Sequence, residues 1–327
     1  MILTVTLNAA LDVTWHVDRL TPRSSHRVET AHERAGGKGI NVARVLAFLG
    51  HTPVATGLAG GPTGRLIREG LHATGIRDEF VDVAGDSRRT LAVVSHDDGD
   101  ATVFNGRGPQ VTEAEWEAFR QHYASLLPEA RVVVLSGSVP PGLPGNAYAQ
   151  LIRDAAKAGA ATVVDTSGPA LTATLKAGPD VVKPNADEIT AATGRHDLQV
   201  AAAALRAWGA CTVVASAGPE GLYALTPDGG WLAKPPERLS GNPTGAGDAC
   251  VAALAAGLAA GAPWADTLRE AVALSAAAVP CPVAGDVDAG VYERFRRIAP
   301  VEVLPFPRDH PSVMLTVARI WHRSIIS

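Results

Sequence analysis

The chain has 327 residues, of which 46% are hydrophobic and 19% are charged, an ordinary composition for a protein with a large core. Its net charge of −4 leaves no basic surface of the kind that nucleic-acid binding needs. The longest apolar run, residues 249–260, is too short to span a bilayer. The three cysteines are widely spaced in apolar surroundings, which indicates buried thiols in a reducing compartment. We therefore expect a cytoplasmic protein without nucleic-acid or membrane partners.

The first third of the chain predicts both core strands and strands with one polar face. Residues 2–7 are mostly β-branched and predict a core strand, whereas residues 13–17 alternate between apolar and polar side chains. Polar alternation also covers residues 27–33, and two later strands, 90–96 and 101–105, flank a hairpin signal at Asp97–Asp100. These four stretches predict a small β-sheet outside the main core.

A glycine-rich segment, Ala35–Asn41, separates these strands and leads into a helix with one apolar face. The glycines let a ligand approach the backbone, and Lys38 and Asn41 lie at the helix start. The segment is not a Walker A loop, because Gly39 stands where Ser or Thr must follow the lysine, and it lacks the G-x-G-x-x-G dinucleotide pattern. A plain strand-to-helix turn is the alternative, but a lysine among glycines favours a binding site.

From Val111 onward, helices alternate with strands, which is typical of a parallel sheet with crossover helices. The predicted strands are 131–135, 162–165, 180–183 and 211–216, followed by a hairpin of strands 222–226 and 230–233. The predicted helices are 113–127, 146–158, 169–176, 198–208, 245–260 and 264–279, and residues 64–75 predict a further helix earlier in the chain. Ligands of such sheets bind beyond the carboxyl ends of the strands. Polar residues follow five strands, and we expect them to share one edge: Asn8, Ser136, Asp165, Asn185 and Ser216.

The segment Asn242–Asp248 is the strongest candidate for chemistry. Its glycines allow a tight turn into a helix whose free N–H groups and dipole can hold an anion. Asp248, on the first helical turn, would lie beside that anion, where it could take the proton of an attacking hydroxyl during phosphoryl transfer. An aspartate placed there only to complement the helix dipole is the alternative. The polar residues expected at the same sheet edge favour chemistry.

In this order, the motifs resemble those of the ribokinase-like (PfkB-type) carbohydrate kinases, in the branch that phosphorylates sugar phosphates. The matching stretches cover nearly the whole chain: Thr6–Asp12, Gly36–Ala43, Leu135–Gly142, Lys183–Glu188, Ser216–Gly221 and Thr244–Asp248. The resemblance implies an α/β fold, with a three-layer α/β/α domain around a mostly parallel sheet. That domain would comprise residues 1–10, 36–86 and 107–308. A β-sheet lid would comprise residues 11–35 and 87–106, and residues 309–327 would form a C-terminal tail.

The resemblance also implies roles for individual residues. Asp248 would be the catalytic base. The anion hole would be formed by Gly245, Ala246 and Gly247. The sugar hydroxyls would be bound by Asp12, Gly37 and Asn41. The candidates for holding a phosphate already on the substrate are Arg27, Lys38, Arg88 and Ser138. Two adjacent arginines such as Arg88 and Arg89 usually mark a solvated edge, but one beside an anionic substrate could clamp its phosphate.

The same resemblance places ATP on the other side of Asp248. Lys183 would reach the ATP phosphates, and Asn185 and Glu188 would organise Mg²⁺, mainly through water. The nucleotide pocket would be lined by Ser216, Gly218 and Gly221. Asn242 replaces an aspartate that many ribokinases carry near a monovalent-cation site, so K⁺ dependence stays open. The lid would exclude water from the reaction.

We expect an ATP- and Mg²⁺-dependent phosphohexose kinase, most specifically one that converts fructose 1-phosphate to fructose 1,6-bisphosphate. A tagatose-6-phosphate or fructose-6-phosphate kinase, and a kinase of plain sugars or nucleosides, are alternatives within the same class. Thr90 and Arg107 depart from the family's pattern near the expected sugar-phosphate pocket and leave the hexose open. Outside the class, a non-catalytic sugar-phosphate sensor and a dinucleotide-dependent dehydrogenase are the alternatives. A homodimer through the lid is expected if one face of the small sheet is exposed.

Overall fold

The computed structural model describes residues 1–28, 30–97 and 101–305. Its strands follow the β-branched and alternating runs of the sequence. In chain order they are β1 (Ile2–Thr6), β2 (Ala10–Val17), β3 (Thr30–Gly36), β4 (Val54–Gly60), β5 (Arg77–Val83), β6 (Arg88–Ser95), β7 (Ala101–Asn105), β8 (Val132–Ser136), β9 (Ala161–Asp165), β10 (Val181–Val182), β11 (Thr212–Ser216), β12 (Leu222–Thr226), β13 (Gly229–Ala233) and β14 (Val301–Leu304).

The helices pack on the sheet through apolar faces. In chain order they are α1 (Lys38–Phe48), α2 (Gly61–Ala73), α3 (Glu113–Leu126), α4 (Ala147–Lys157), α5 (Gly168–Leu175), α6 (Ala186–Thr193), α7 (Leu198–Ala207), α8 (Ala246–Ala260), α9 (Trp264–Ala278) and α10 (Ala289–Ile298).

Ten strands form one large sheet in the order β14-β13-β12-β11-β10-β9-β8-β1-β4-β5. From β11 to β5 every neighbouring pair is parallel, whereas β12, β13 and β14 join the edge as antiparallel strands. Apart from polar β5 at the edge, the parallel strands are buried almost throughout, which explains their largely apolar sequences. Their carboxyl ends lie at one edge, as the polar residues after the strands predict.

Two apolar cores make the domain three-layered, which confirms the predicted α/β/α fold. One core joins the sheet to α3, α4, α5 and α7 through residues such as Phe119, Tyr148 and Leu205. The other joins the opposite face to α1, α8, α9 and α10, with Val251 and Leu274 at its centre. Alanine-rich α8 packs closely against α9 because small side chains let the two backbones approach.

The other four strands form a small separate sheet in the order β3-β2-β6-β7. The strands lie where the alternating patterns predict them, with one shift: the third predicted strand spans Thr30–Gly36 instead of 27–33. It therefore runs directly into the glycine-rich turn before α1, and Ala10 pairs with Gly36 at its end. This continuity places the small sheet beside the first glycine-rich segment.

Other differences from the sequence predictions concern segments with weak patterns. The sequence analysis did not predict β4, β5, α6, α10 or β14. Of the cysteines, which were expected to be buried, Cys250 is buried but Cys211 is exposed. Within the described residues, no helix combines the length and apolar character needed to cross a membrane. Residues 98–100 of the predicted hairpin turn and the predicted tail 309–327 lie outside the described residues.

Candidate active site

A cavity of about 1120 Å³ opens at the carboxyl ends of the parallel strands, between the two sheets. The large sheet contributes the loops after β1, β8, β9 and β11, and the small sheet contributes residues of β2, β6 and β7. Every predicted site residue except Arg27 lines this cavity: Asp12, Gly37, Lys38, Asn41, Arg88, Ser138, Lys183, Asn185, Glu188, Ser216, Gly218, Gly221, Gly245, Ala246, Gly247 and Asp248. Arg27 is exposed on the segment between β2 and β3 and does not reach it.

The turn into α8 has the backbone that an anion seat needs. Gly245 adopts a φ of +95°, and no side chain caps the helix. The N–H of Ala246 donates to the carbonyl of Pro243 at 3.1 Å and closes the turn, and the residues from Gly245 to Asp248 line the cavity. A β-carbon at Gly245 would lie 2.8 Å from Cα of Ala284, which explains why the position requires glycine on steric grounds as well.

Asp248 lies one turn into this helix and is buried. Its Oδ2 accepts a hydrogen bond of 2.9 Å from Nδ2 of Asn41, at the start of α1. Burial raises the pKa of Asp248 to about 7; Lys38 opposes this rise and the carboxylate of Asp165 adds to it. A carboxylate with such a pKa can accept a proton at neutral pH, which a carboxylate of ordinary acidity does poorly.

Asp165, at the end of β9, holds two lysines near Asp248. Its Oδ2 lies 3.1 Å from Nζ of Lys38 and its Oδ1 lies 3.4 Å from Nζ of Lys183. Burial acts to raise the pKa of Asp165, but the two lysines together lower it below its usual value. Burial acts to lower the pKa of each lysine, but nearby carboxylates, chiefly that of Asp165, raise both above the usual range. The cavity floor therefore carries two fixed cations.

Lys38 has a partner that the sequence patterns did not indicate. Its predicted role in holding the substrate's own phosphate stays a prediction; its ammonium pairs with Asp165 and lies close enough to Asp248 to affect the pKa of that carboxyl group. Lys183, which is buried, lies next to the anion turn, since a β-carbon at Gly247 would be 3.5 Å from its Nζ. Both cations thus lie close to Asp248 and the start of α8.

A second cationic group lies at the small-sheet end of the cavity. Nε of Arg88 donates to the carbonyl of Asn8 at 3.0 Å, and Nδ2 of Asn8 donates to Oγ of Ser138 at 3.0 Å. Burial raises the pKa of Asp12, and the charge of Arg88 opposes that rise. Asp12 packs on Gly36, where a β-carbon would lie 2.0 Å from its Oδ2. These side chains can hold a polar ligand that carries an anionic group.

The opposite end of the cavity combines small residues with apolar walls. Gly221 has a φ of +94°, and a β-carbon there would lie 2.1 Å from the carbonyl oxygen of Ala233. Ser216 and Gly218 line the same end, together with apolar side chains that suit a flat ring: Leu222, Pro235, Val272, Ala276 and Val279. Glu237 and Arg238 also line the cavity near Pro235, but a slot with mainly apolar walls still fits a nucleotide base better than a second sugar.

Asn185 and Glu188 form a capping box at the start of α6. Oδ1 of Asn185 accepts from the N–H of Glu188 at 2.8 Å, and Oε2 of Glu188 accepts from the N–H of Asn185 at 2.9 Å. Both still line the cavity. Among the described residues, no three His, Cys, Asp or Glu side chains gather into a group that could hold a metal ion. Mg²⁺ commonly uses one or two carboxylates with phosphates and waters, so this donor set fits water-mediated Mg²⁺.

Comparisons with known proteins agree with this geometry. The model of the pfkB family carbohydrate kinases matches residues 5–288. The chain belongs to this family.

Individual relatives indicate which kind of sugar kinase the chain resembles. The chain is 42% identical over 265 residues to the 1-phosphofructokinase of Xanthomonas campestris pv. campestris, with 78% of this chain and 83% of that protein covered. Phosphofructokinase-2 from Escherichia coli, solved with potassium, superposes with a TM-score of 0.85 at 31% identity, covering 90% of this chain and 98% of that one; it has also been solved with fructose-6-phosphate. A possible 1-phosphofructokinase from Thermotoga maritima gives a TM-score of 0.82 at 28% identity, covering 93% and 99%.

This pfkB kinase is therefore a phosphotransferase that acts on a sugar hydroxyl, of the phosphofructokinase type. Asp165 was predicted to lie at the sheet edge, because it follows a strand, but the sequence indicated no role for it. The fold brings two lysines, 127 and 18 positions away, to its carboxylate. Asn8 likewise acts in the cavity by joining Arg88 to Ser138.

Proposed function

We propose that this kinase transfers the γ-phosphoryl group of ATP to fructose 1-phosphate and forms fructose 1,6-bisphosphate, with Asp248 as the base. The observation that carries this proposal is the raised pKa of a buried carboxylate beside an uncapped helix start, about 7 for Asp248. The 42% identity to a 1-phosphofructokinase supports the substrate.

The residues supply each part of an in-line transfer. Asp12 and Asn41 orient the sugar so that its free hydroxyl faces Asp248, which takes the hydroxyl proton. The amides after Gly245, together with the ammonium groups of Lys38 and Lys183, stabilise the charge on the moving phosphoryl group. Asn41 has a second task, because its donated hydrogen bond fixes the orientation of the Asp248 carboxylate.

Arg88 and Ser138 bind the phosphate that the substrate already carries. A neutral sugar would need no such cation, so the partly buried Arg88 favours a phosphorylated substrate over a plain sugar or nucleoside. Arg107 also lines this end and adds positive charge. Arg27 is exposed on the segment between β2 and β3 and does not line the cavity, so we do not assign it this role.

Asn185 and Glu188 would hold Mg²⁺ through water near the nucleotide phosphates, and the ion would neutralise part of their charge. Asn242 accepts a hydrogen bond from the N–H of Thr244 at 3.0 Å and so shapes the loop before the anion turn. K⁺ dependence of the reaction stays a prediction. Initial rates in KCl and in NaCl at equal ionic strength measure it.

The small sheet would act as the lid of the cavity and as a dimer surface. Trp15 and Phe104, on the face of the small sheet opposite Asp12, leave 37% and 54% of their surface exposed, which is unusual for large apolar side chains. We propose that a second copy of the chain covers them, and light scattering across a concentration series measures the assembly.

Fructose 6-phosphate is the second candidate substrate, because the structurally similar Escherichia coli enzyme has been solved with it. A coupled ADP-release assay with fructose, fructose 1-phosphate, fructose 6-phosphate and tagatose 6-phosphate separates the candidates. We expect the highest kcat/KM with fructose 1-phosphate. Equal rates with unphosphorylated fructose would contradict the role of Arg88.

The variant Asp248→Asn tests the base. We expect a loss of kcat of about a thousandfold or more, with ATP affinity nearly unchanged, because the amide keeps the shape but cannot take a proton. Isothermal titration with ATP and a coupled assay measure the two quantities. A variant with near-normal kcat would refute the mechanism.

A further inference from the structure

One ion pair joins the small sheet to the rest of the molecule among the described residues. Nη2 of Arg34, in β3, lies 2.6 Å from Oδ1 of Asp286, 252 residues later in the chain. The other ion pairs of the small sheet, Arg19 with Asp97 and Arg89 with Glu33, stay within that sheet or its connections. Among the described residues, the small sheet is therefore tied to the large domain by a single ion pair, that of Arg34 with Asp286.

Asp286 belongs to the loop that supports the anion turn. The two residues before it, Ala284 and Gly285, pack directly on the turn and on α1. A β-carbon at Gly245 would lie 2.8 Å from Cα of Ala284, and one at Gly285 would lie 3.2 Å from Cα of Asn41. Any displacement of this loop therefore moves either the turn or Asn41.

A displacement of Asn41 would also move Asp248, because Nδ2 of Asn41 donates a hydrogen bond to the Asp248 carboxylate at 2.9 Å. Arg44, one turn further along α1, is buried and lies within electrostatic reach of both Arg34 and Asp286. Asp286 and Asp12 are the carboxylates that offset the repulsion between Arg34 and Arg44, so losing Asp286 would leave that repulsion opposed by Asp12 alone.

Arg34 also lies next to a residue at the small-sheet end of the cavity. In the register of β2 and β3 it lies opposite Asp12, which lines the cavity. The Arg34 side chain is only 26% exposed and that of Asp286 is 43% exposed. Solvent screens such a pair less than it screens fully exposed charges, so the pair contributes more than an ordinary surface ion pair.

We propose that Arg34 and Asp286 form a latch that couples the small sheet, where the sugar binds, to the anion turn and Asp248. Arg34 is a positioning residue in this arrangement and touches neither substrate. With the latch formed, the sheet that holds the sugar also fixes the loop behind Gly245. The inference rests on the proposed roles of Asp248 and of the turn at Gly245–Gly247.

The test is a double-mutant cycle on the full-length enzyme. Arg34→Gln and Asp286→Asn should each lower kcat about tenfold with a much smaller change in the KM for ATP, since a misaligned turn affects transfer more than binding. The double variant should be no slower than the slower single variant, because both changes remove one interaction. Arg34→Lys, which keeps the charge, should recover most of the rate.

The matched control is Arg89→Gln, which removes a pair of 3.3 Å between Arg89 and Glu33 on the same sheet, with side chains 51% and 48% exposed. It should leave kcat unchanged. A second readout is ATP hydrolysis without sugar relative to sugar phosphorylation, which should rise in Arg34→Gln because transfer to the sugar is impaired. Thermal unfolding and ATP titration show whether each variant is folded.

Additive losses in the double variant, unchanged kcat in both single variants, or an equal loss in Arg89→Gln would overturn the latch. These outcomes are distinct from failure of the proposed function. If Asp248→Asn retains activity, the mechanism itself is wrong; if Asp248→Asn is inactive but the cycle is additive, only the latch is wrong.

Discussion

The two glycine-rich turns of this kinase carry opposite charges on different backbones, since ψ is 144° at Gly37 and −14° at Gly245. Each begins a helix with a glycine in a positive-φ conformation, Gly37 at +102° and Gly245 at +95°, and neither has a side-chain cap. The first turn presents a lysine, Lys38, and the second a carboxylate, Asp248. They meet at the hydrogen bond between Asn41 and Asp248.

The difference lies in how each charge is compensated. Lys38 has a full partner in Asp165 and stays charged at every physiological pH. Asp248 is buried with partial compensation, and its pKa rises to about 7. A positive-φ glycine therefore precedes a permanent cation on one helix and a proton acceptor on the other. The neighbouring charges decide how far the pKa of each group departs from its ordinary value.

The second turn should be the more sensitive of the two to an added methyl group. In Gly245→Ala the new β-carbon meets Ala284, and the positive φ is strained. We expect kcat to fall about a hundredfold, because the amides lose their alignment with the phosphoryl group. Steady-state kinetics with saturating ATP measure the loss.

The control for that variant is Gly50→Ala. Gly50 has a φ of +83° and open space around it, so it takes the same kind of backbone strain far from the cavity. It should lower thermal stability by about 1 kcal/mol and leave kcat unchanged. An equal kcat loss in both variants would mean that global strain, and not the turn, explains the effect.

A methyl group at the first turn should instead weaken the binding of the sugar phosphate. In Gly36→Ala the β-carbon would overlap Asp12, whose carboxylate must rotate away. We expect the KM for the sugar phosphate to rise about tenfold with a smaller change in the KM for ATP, since Asp12 belongs to the small-sheet end. If the KM for ATP rose equally, the division of the cavity into two ends would be wrong.

Much of this arrangement could be predicted from the sequence, because it depends on local patterns. The turns at Gly36–Asn41 and Gly245–Asp248 follow from glycine placement, and the parallel sheet follows from helix–strand alternation. The edge of that sheet then brings together residues that are distant in sequence. A shared edge is a property of topology, so it required no knowledge of individual contacts.

Pairings between distant side chains could not be predicted in this way. The contact of Arg34 with Asp286 joins residues 252 positions apart, and that of Lys38 with Asp165 joins residues 127 positions apart. Strand β5 also escaped prediction, since its sequence is polar and it owes its structure to pairing with β4. Such features depend on tertiary packing rather than on local preference.

The pH dependence of kcat tests the central claim most directly. With Asp248 as a base of raised pKa, the ionised form is the active one, so the rate must increase as pH rises and level off above about 7. Single-turnover phosphoryl transfer to fructose 1-phosphate, followed from about pH 5.5 to 8.5, measures the ascending limb. The account predicts an apparent pKa close to 7. A rate that is flat across this range, or one that falls as pH rises, would contradict it.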